Sequence, residues 1–282
     1  MMNLIADSGA TKTTWCLSGA RKTKTFTTEG ISPYFFTSQQ ITDLLLGDLL
    51  PYLGKTPIEA VYFYGTGCAV PANISLVKKG IKKAFPNTKK IEVASDLVGA
   101  ARSLCSRSKG VACILGTGSN SCVYNGNRIV RNNPAPGFIL GDEGSGAYLG
   151  KKVVQYFIYN TFDEDLMHRF NLKFQTDYRT ILNHVYKGEW PNRYLASFTP
   201  FLSENRGHYM IENILEDGIS DFFFTHVYKY PESWLYPIHF TGSVAWHFRD
   251  VIKELCSNFE LALGTIRQAP IDGLVAYHSA GA

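Results

Sequence analysis

Two short stretches of this 282-residue chain combine carboxylates, hydroxyls and glycines in a way that suits phosphate chemistry. The first is Asp7-Ser8-Gly9-Ala10-Thr11-Lys12-Thr13, where small residues let backbone N–H groups approach an anion, flanked by hydroxyls, one lysine and one carboxylate. It is not a Walker A loop, because the G-x-x-x-x-G-K-S/T spacing is absent and the chain continues into a strand instead of a helix. By itself it reads equally well as a hairpin turn that merely needs small residues. The second stretch, Gly116-Thr117-Gly118-Ser119-Asn120, shifts that balance. Two such turns facing one another across a cleft would grip a triphosphate from both sides, with Thr11 and Thr117 donating to phosphate oxygens. Asp7 would then orient a hydrated Mg²⁺, an ion that keeps several waters when bound. A triphosphate with its Mg²⁺ is the expected ligand.

The elements that must position these turns occur twice. Met2–Ala6 is a short apolar run; the first turn follows, then strand-like Thr13–Leu17, a second turn at Ser18-Gly19, and a third strand around Lys22–Thr28. After residue 110 the same grammar returns as Val111–Leu115, the second turn, Asn120–Tyr124, and the hairpin pair Asn125-Gly126 leading to Arg128–Arg131. Between the meanders the periodicity predicts helix Ser38–Leu50, strand Ile58–Tyr64, helix Pro71–Phe85, strand Lys90–Ala94 and helix Leu97–Ser106. The second half reads as helices Gly144–Asn160, Glu164–Asn171, Asp177–Tyr186, Trp190–Ser203 and Tyr209–Tyr228. A strand Ile238–Thr241, a long helix Val244–Phe259 and a short helix near Asp272–Tyr277 follow. The expected class is α/β, with two lobes over residues 1–110 and 111–282, helical insertions in the second, and the last helix free to pack back on the first.

Composition narrows the function classes. With 45% hydrophobic and 18% charged residues the chain is ordinary for a globular protein, which excludes disorder and fibre. A formal charge of +4, dispersed along the chain, argues against nucleic acid or a membrane as partner. Lys78, Lys79, Lys82 and Lys83 form the densest basic run, spaced as a solvated helix face. No basic leader precedes an apolar stretch, so a cytoplasmic protein is expected. The six cysteines lack C-x-x-C or zinc spacing and read as reduced packing residues, and the seven histidines show no ligand pattern. An aromatic belt over Phe222–Phe224, Tyr228, Tyr230, Trp234, Tyr236, Phe240, Trp246 and Phe248 suits a core or a homodimer surface better than a base-stacking platform.

The chain resembles the sugar kinases of the actin, hexokinase and heat-shock-ATPase superfamily, specifically the N-acetylglucosamine kinase and BadF/BadG-type branch. Five motifs in order carry the resemblance: Asp7–Thr13, Val93-Ala94-Ser95-Asp96, Gly116–Asn120, Gly137-Phe138-Ile139-Leu140-Gly141-Asp142-Glu143-Gly144-Ser145, and Thr241-Gly242-Ser243-Val244-Ala245. They span nearly the whole chain and imply an actin-like (ribonuclease H-like) ATPase fold built on a duplicated βββαβαβα unit. The resemblance departs where relatives carry Asp-Gly-Gly-Gly-Thr at the first loop, a Gly-Trp pair at Ala135-Pro136, and an asparagine within Gly30–Tyr34.

A sugar kinase needs a base to accept the hydroxyl proton as the O–P bond forms. Asp96 meets this at the end of a strand, although from position alone Ser95 or Asp96 capping the next helix explains it as well. The resemblance implies that Asp142 and Glu143 receive sugar hydroxyls, that Asn120 and Gly137 adjoin the sugar, and that Gly242-Ser243 lies against adenosine. An acidic helix start and a Gly-Ser helix start are the ordinary alternatives. The expected activity is ATP-dependent phosphorylation of an amino sugar such as N-acetylglucosamine. The competing readings are an ATPase activator of the BadF type, which needs cysteines able to hold an iron–sulfur cluster, and a non-catalytic sugar sensor.

Overall fold

The computed structural model describes residues 2–9, 11–19, 23–54 and 56–279. In chain order the first elements are β1 (Asn3–Ser8), β2 (Lys12–Ser18), β3 (Thr23–Glu29), α1 (Ser38–Leu44), α2 (Leu50–Leu53), β4 (Ala60–Gly65), α3 (Pro71–Ala84), β5 (Lys90–Ser95) and α4 (Asp96–Cys105). There follow β6 (Lys109–Leu115), β7 (Ser119–Asn125), β8 (Ile129–Arg131), α5 (Gly146–Ile158), α6 (Glu164–Phe174), α7 (Tyr178–Lys187), α8 (Pro191–Ala196), α9 (Pro200–Glu204) and α10 (Tyr209–Thr225). The chain ends with β9 (Ile238–Thr241), α11 (Ser243–His247), α12 (Arg249–Asn258), β10 (Leu263–Arg267) and α13 (Ile271–Ser279). Two compact units result, Met1–Arg107 with Ala269–Ala282, and Ser108–Gln268. The break falls just ahead of β6, and the chain returns to the first unit at Ala269.

Each unit holds a five-stranded sheet of the same topology, β3-β2-β1-β4-β5 in the first and β8-β7-β6-β9-β10 in the second. In both, an antiparallel meander supplies three strands and two parallel strands extend it. This is the duplicated actin-like unit that the sequence predicts. The central strands explain the continuous apolar runs. In β1, Leu4 and Ala6 enter a core with Trp15, Phe63 and Ile81, while Ile5 on the other face meets Cys16, Tyr64 and Leu274. A strand covered on both faces has no polar side to alternate with. The second face is covered by α13, which is why a C-terminal helix belongs to an N-terminal unit.

Several boundaries differ from the periodicity, each for a local reason. The helix expected over 38–50 widens into a π turn at Leu45–Leu49 ahead of Pro51, which offers no N–H to the regular ladder. The helix expected over 190–203 is two helices, the second restarting with Pro200 at its first position. The helix expected over 244–259 breaks at Phe248, whose ring is buried in the second core. β10 has no counterpart in the sequence reading. It is a five-residue edge strand interrupted by Gly264, whose Cα lies against the His239 ring, and its pairing with β9 shifts register between Leu263 and Ile266.

Candidate active site

In the first unit β1 delivers Asp7 to the strand end, opposite Thr14 on β2 and Tyr64 on β4. Burial pushes its carboxyl up to about 7, the nearby charge of Asp96 adds to this, and Lys12 opposes it. The turn closes with the Gly9 N–H donating to the Lys12 carbonyl at 3.0 Å, leaving Gly9, Thr11 and Lys12 exposed. Ser8 and Thr13 behave otherwise. Their hydroxyls lie 2.7 Å apart and are fully buried. Ser8 Oγ donates to the Ile31 carbonyl, Thr13 Oγ1 donates to the Glu29 carbonyl, and both accept from the Ile31 N–H. These two side chains anchor the segment after β3, so a direct phosphate contact from either is not what the geometry offers. Ala10 lies outside the described residues.

Asp96 occupies the first position of α4, and the cap is Ser95, whose hydroxyl accepts the Val98 N–H at 3.3 Å. The ordinary explanation for a carboxylate at this place is therefore taken by its neighbour. Asp96 Oδ2 accepts from Thr66 Oγ1 at 2.8 Å and Oδ1 accepts from the Leu97 N–H at 2.8 Å. Burial raises its pKa, while Thr66 and the backbone donors pull it down. Thr66 follows β4, and its own N–H donates to the Ser8 carbonyl, tying the Asp96 partner to the end of β1. The sequence reading missed Thr66, since a threonine after a buried strand carries no signal of its own. Cys68, two residues on, is buried, and burial pushes its thiol up to about 12. A buried, protonated thiol does not suit a cluster ligand.

In the second unit Gly116–Ser119 forms a tight turn, with the Gly116 N–H donating to the Gly118 carbonyl at 3.0 Å. The start of α5 is tied to it: Gly146 N–H donates to the Gly116 carbonyl at 2.7 Å and Ala147 N–H to the Thr117 carbonyl at 3.0 Å. Asp142, at φ 58°, lays its carboxylate against the same turn. Oδ1 accepts the Ser119 N–H at 3.3 Å, and a Cβ on Gly118 would stand 3.0 Å from Oδ2. Burial raises the Asp142 pKa, the Ser119 N–H lowers it, and Glu143 raises it further. Asp142 is thus both buried and committed to the loop, whereas Glu143 keeps 20% of its side chain exposed and lies 3.9 Å from His226 Nε2. Asn120 Oδ1 accepts from the Ser121 N–H and from Asn132 Nδ2. Gly137 opens the turn that leads to Asp142, accepting the Gly141 N–H at 2.8 Å.

Beside that turn is a cavity of about 320 Å³, lined by Gly116, Thr117, Thr199, Ser243, Val244 and His247 among others. Gly242 makes it possible. At φ 120° its Cα sits against the Leu115–Gly116 peptide, and a Cβ would fall 2.2 Å from the Leu115 carbonyl oxygen. The wall from α8 and α9 went unnoticed in the sequence, where those residues looked like the interior of one helix. Thr199 Oγ1 donates to the Gly146 carbonyl at 2.7 Å and holds that wall to α5. Among the described residues no three His, Cys, Asp or Glu side chains gather as a metal cage, and no helix is long and apolar enough to cross a membrane.

No protein-family model matches the chain, and none of the curated proteins does. Solved structures do. Two are named "putative N-acetylglucosamine kinase": one from Porphyromonas gingivalis is 39% identical, with 99% of each chain covered and a TM-score of 0.95, and one from Chromobacterium violaceum is 18% identical, with 98% of each chain covered and a TM-score of 0.74. A ROK family glucokinase from Streptomyces griseus, solved with glucose and AMPPNP, is 15% identical over 99% of each chain with a TM-score of 0.59. The last two are similar in fold alone.

Proposed function

This chain belongs to the N-acetylglucosamine kinase family of actin-like sugar kinases, and from that premise we propose that it transfers the γ-phosphate of ATP to a hydroxyl of an amino sugar, N-acetylglucosamine first among the candidates. The observation that carries the reading is Asp96: a carboxylate relieved of capping duty by Ser95, with one oxygen held by Thr66 and the other by the Leu97 N–H.

Each carboxylate oxygen retains a lone pair for a substrate hydroxyl. As the sugar oxygen forms its bond to the γ-phosphorus, its proton passes to Asp96, and the bond from phosphorus to the bridging oxygen breaks with its electron pair leaving on ADP. In the first unit the exposed Thr11 and Lys12, and in the second the exposed Thr117, carry hydroxyl, ammonium and N–H donors suited to phosphate oxygens, while the Gly9 and Gly116 N–H groups close the turns that present them. The cavity beside Gly242-Ser243 takes the adenosine; its volume fits the small-molecule range. Glu143, Asn120, Gly137 and, through the loop it supports, Asp142 serve the sugar.

The donor set also fits Mg²⁺. Burial, with the like charge of Asp96 added, makes Asp7 hard to ionise alone, a situation that a divalent cation relieves. Asp7 would hold the ion through water, and the ion would supply charge neutralisation on the phosphates.

The reading is tested by ADP release against a panel of hexoses and N-acetylhexosamines. Turnover is expected with an N-acetylhexosamine and is expected to vanish in Asp96→Asn while ATP binding persists. Full turnover in that variant removes Asp96 from the role.

A further inference from the structure

The second unit contains a buried polar chain that none of the motifs includes. Asn133 N–H donates to Tyr230 Oη at 2.7 Å, Tyr230 Oη lies 2.9 Å from Ser121 Oγ, and Ser121 Oγ lies 3.0 Å from His226 Nδ1. Ser121 is fully buried, Tyr230 is 1% exposed and His226 2%. Polar groups so deep in a core cost stability unless each proton has an acceptor, so their proton positions can be counted.

Tyr230 has one proton and already accepts from Asn133, which makes its oxygen a poor second acceptor. Its nearer partner is Ser121 Oγ at 2.9 Å, against 3.2 Å to the Ser121 carbonyl. The phenol proton therefore goes to Ser121 Oγ, and the serine proton goes on to His226 Nδ1. A neutral ring that accepts at Nδ1 carries its own proton on Nε2. That nitrogen lies 3.9 Å from Glu143 Oε2, within reach of a small side-chain shift. Burial keeps the ring below its ordinary pKa, with Glu143 opposing, and Phe222 stacks on it at 4.8 Å between ring centres.

The same serine also governs Asn120. Its N–H donates to Asn120 Oδ1 at 2.8 Å, and Asn132 Nδ2 donates both to that oxygen and to the Ser121 carbonyl. With Oδ1 engaged by donors, the amide NH₂ is the end that Asn120 presents.

We propose that His226, oriented by Ser121 and Tyr230, is a positioning residue for sugar recognition: its Nε2–H faces Glu143 Oε2 and aims that side chain as an acceptor while Ser121 turns the Asn120 amide to donate, so that one substrate hydroxyl meets an acceptor and its neighbour a donor. This rests on the reading of Glu143 and Asn120 as sugar contacts.

The ring's tautomer is read directly from a ¹⁵N-histidine spectrum of the ligand-free protein at pH 7, with the His226 signals assigned by their loss in His226→Gln. The Nε2–H form is expected; an Nδ1–H form or an imidazolium overturns the relay. In steady-state kinetics His226→Leu raises the sugar KM about tenfold or more, the scale of losing a hydrogen bond to a charged group, and leaves the ATP KM unchanged. His226→Gln, whose amide keeps a donor near the Nε2 position, recovers most of the loss. Should His226→Leu fail to fold, Ser121→Ala keeps the ring but removes its Nδ1 partner, and the same sugar-specific loss is expected. An unchanged sugar KM in the folded variants overturns the positioning role. Absence of turnover with every sugar removes the kinase reading whatever the tautomer, and a wrong tautomer removes the relay whatever the turnover.

Discussion

Thr66 Oγ1 donates to Asp96 Oδ2 at 2.8 Å, from a residue whose own N–H is fixed to the Ser8 carbonyl. The hydroxyl is thus held by the strand that carries Asp7 and holds the carboxylate that would act as base. Thr66→Val keeps the shape and removes the donor. We expect kcat to fall by about 10- to 100-fold, the scale of one hydrogen bond to an ionised group, with little change in the ATP KM. Thr66→Ser should restore most of the rate. A Thr66→Val enzyme with wild-type kcat would show that the contact does not orient the base.

As the proposed base, the same carboxylate should set an acid limb in the rate profile. Asp96 must be ionised to accept a proton, and its pKa is raised by burial above the ordinary value of 3.8. The sugar kcat/KM should therefore rise with pH through a midpoint above that value and then level off. Because the Thr66 donor favours the ionised form, Thr66→Val should move the midpoint upward. A downward shift in that variant would reverse the assigned sign.

Asp7 makes a prediction about stability. Its carboxyl goes from 3.8 to about 7 on folding, so the folded state holds the proton more tightly than the unfolded one. The full stability is present below about pH 4 and is lost as pH rises through about 7. Asp7→Asn, which stays neutral, should stabilise the ligand-free protein by about 1–3 kcal/mol at pH 8, a figure discounted from the full shift because the residue is partly exposed. The gain should shrink at pH 5 and disappear below pH 4. Urea midpoints at the three pH values measure it, and a gain that does not vary with pH would mean that the carboxyl is not the cause.

Gly242→Ala tests the wall of the cavity. A methyl 2.2 Å from the Leu115 carbonyl oxygen, at φ 120°, must displace the Leu115–Gly116 peptide that begins the Gly116–Ser119 turn. A loss of about 2–4 kcal/mol in stability is expected, together with a higher ATP KM. Gly137→Ala, also at positive φ but with nothing within 4 Å of its Cβ, should cost about 1 kcal/mol. Equal effects at the two glycines would show that backbone strain, and not close approach, decides.

Much of the fold was legible because it is local. Alternation and apolar runs mark the strands, and Asn125-Gly126 marks the β7–β8 hairpin, where Asn125 Oδ1 accepts from the Asn127 and Arg128 N–H groups. Repetition of the meander revealed the duplication. What escaped was short, exposed or interrupted: β10 has only five residues with a glycine inside, and the breaks ahead of Pro200 and at Phe248 lie within otherwise helical spacing.

The sequence by itself determined the two meanders, the small residues of both turns and the place of Asp96 at a strand end, since each depends on neighbours a few positions away. Only the tertiary structure decided what the side chains do there. Ser8 and Thr13, grouped with the phosphate loop by adjacency, turn inward to hold Ile31, while Thr66 reaches Asp96 across 30 residues and Ser121 reaches His226 across 105. Strand register and helix docking bring such partners within 3.3 Å. A hydrogen bond is specified by that proximity, and a linear pattern encodes only which groups are able to form one.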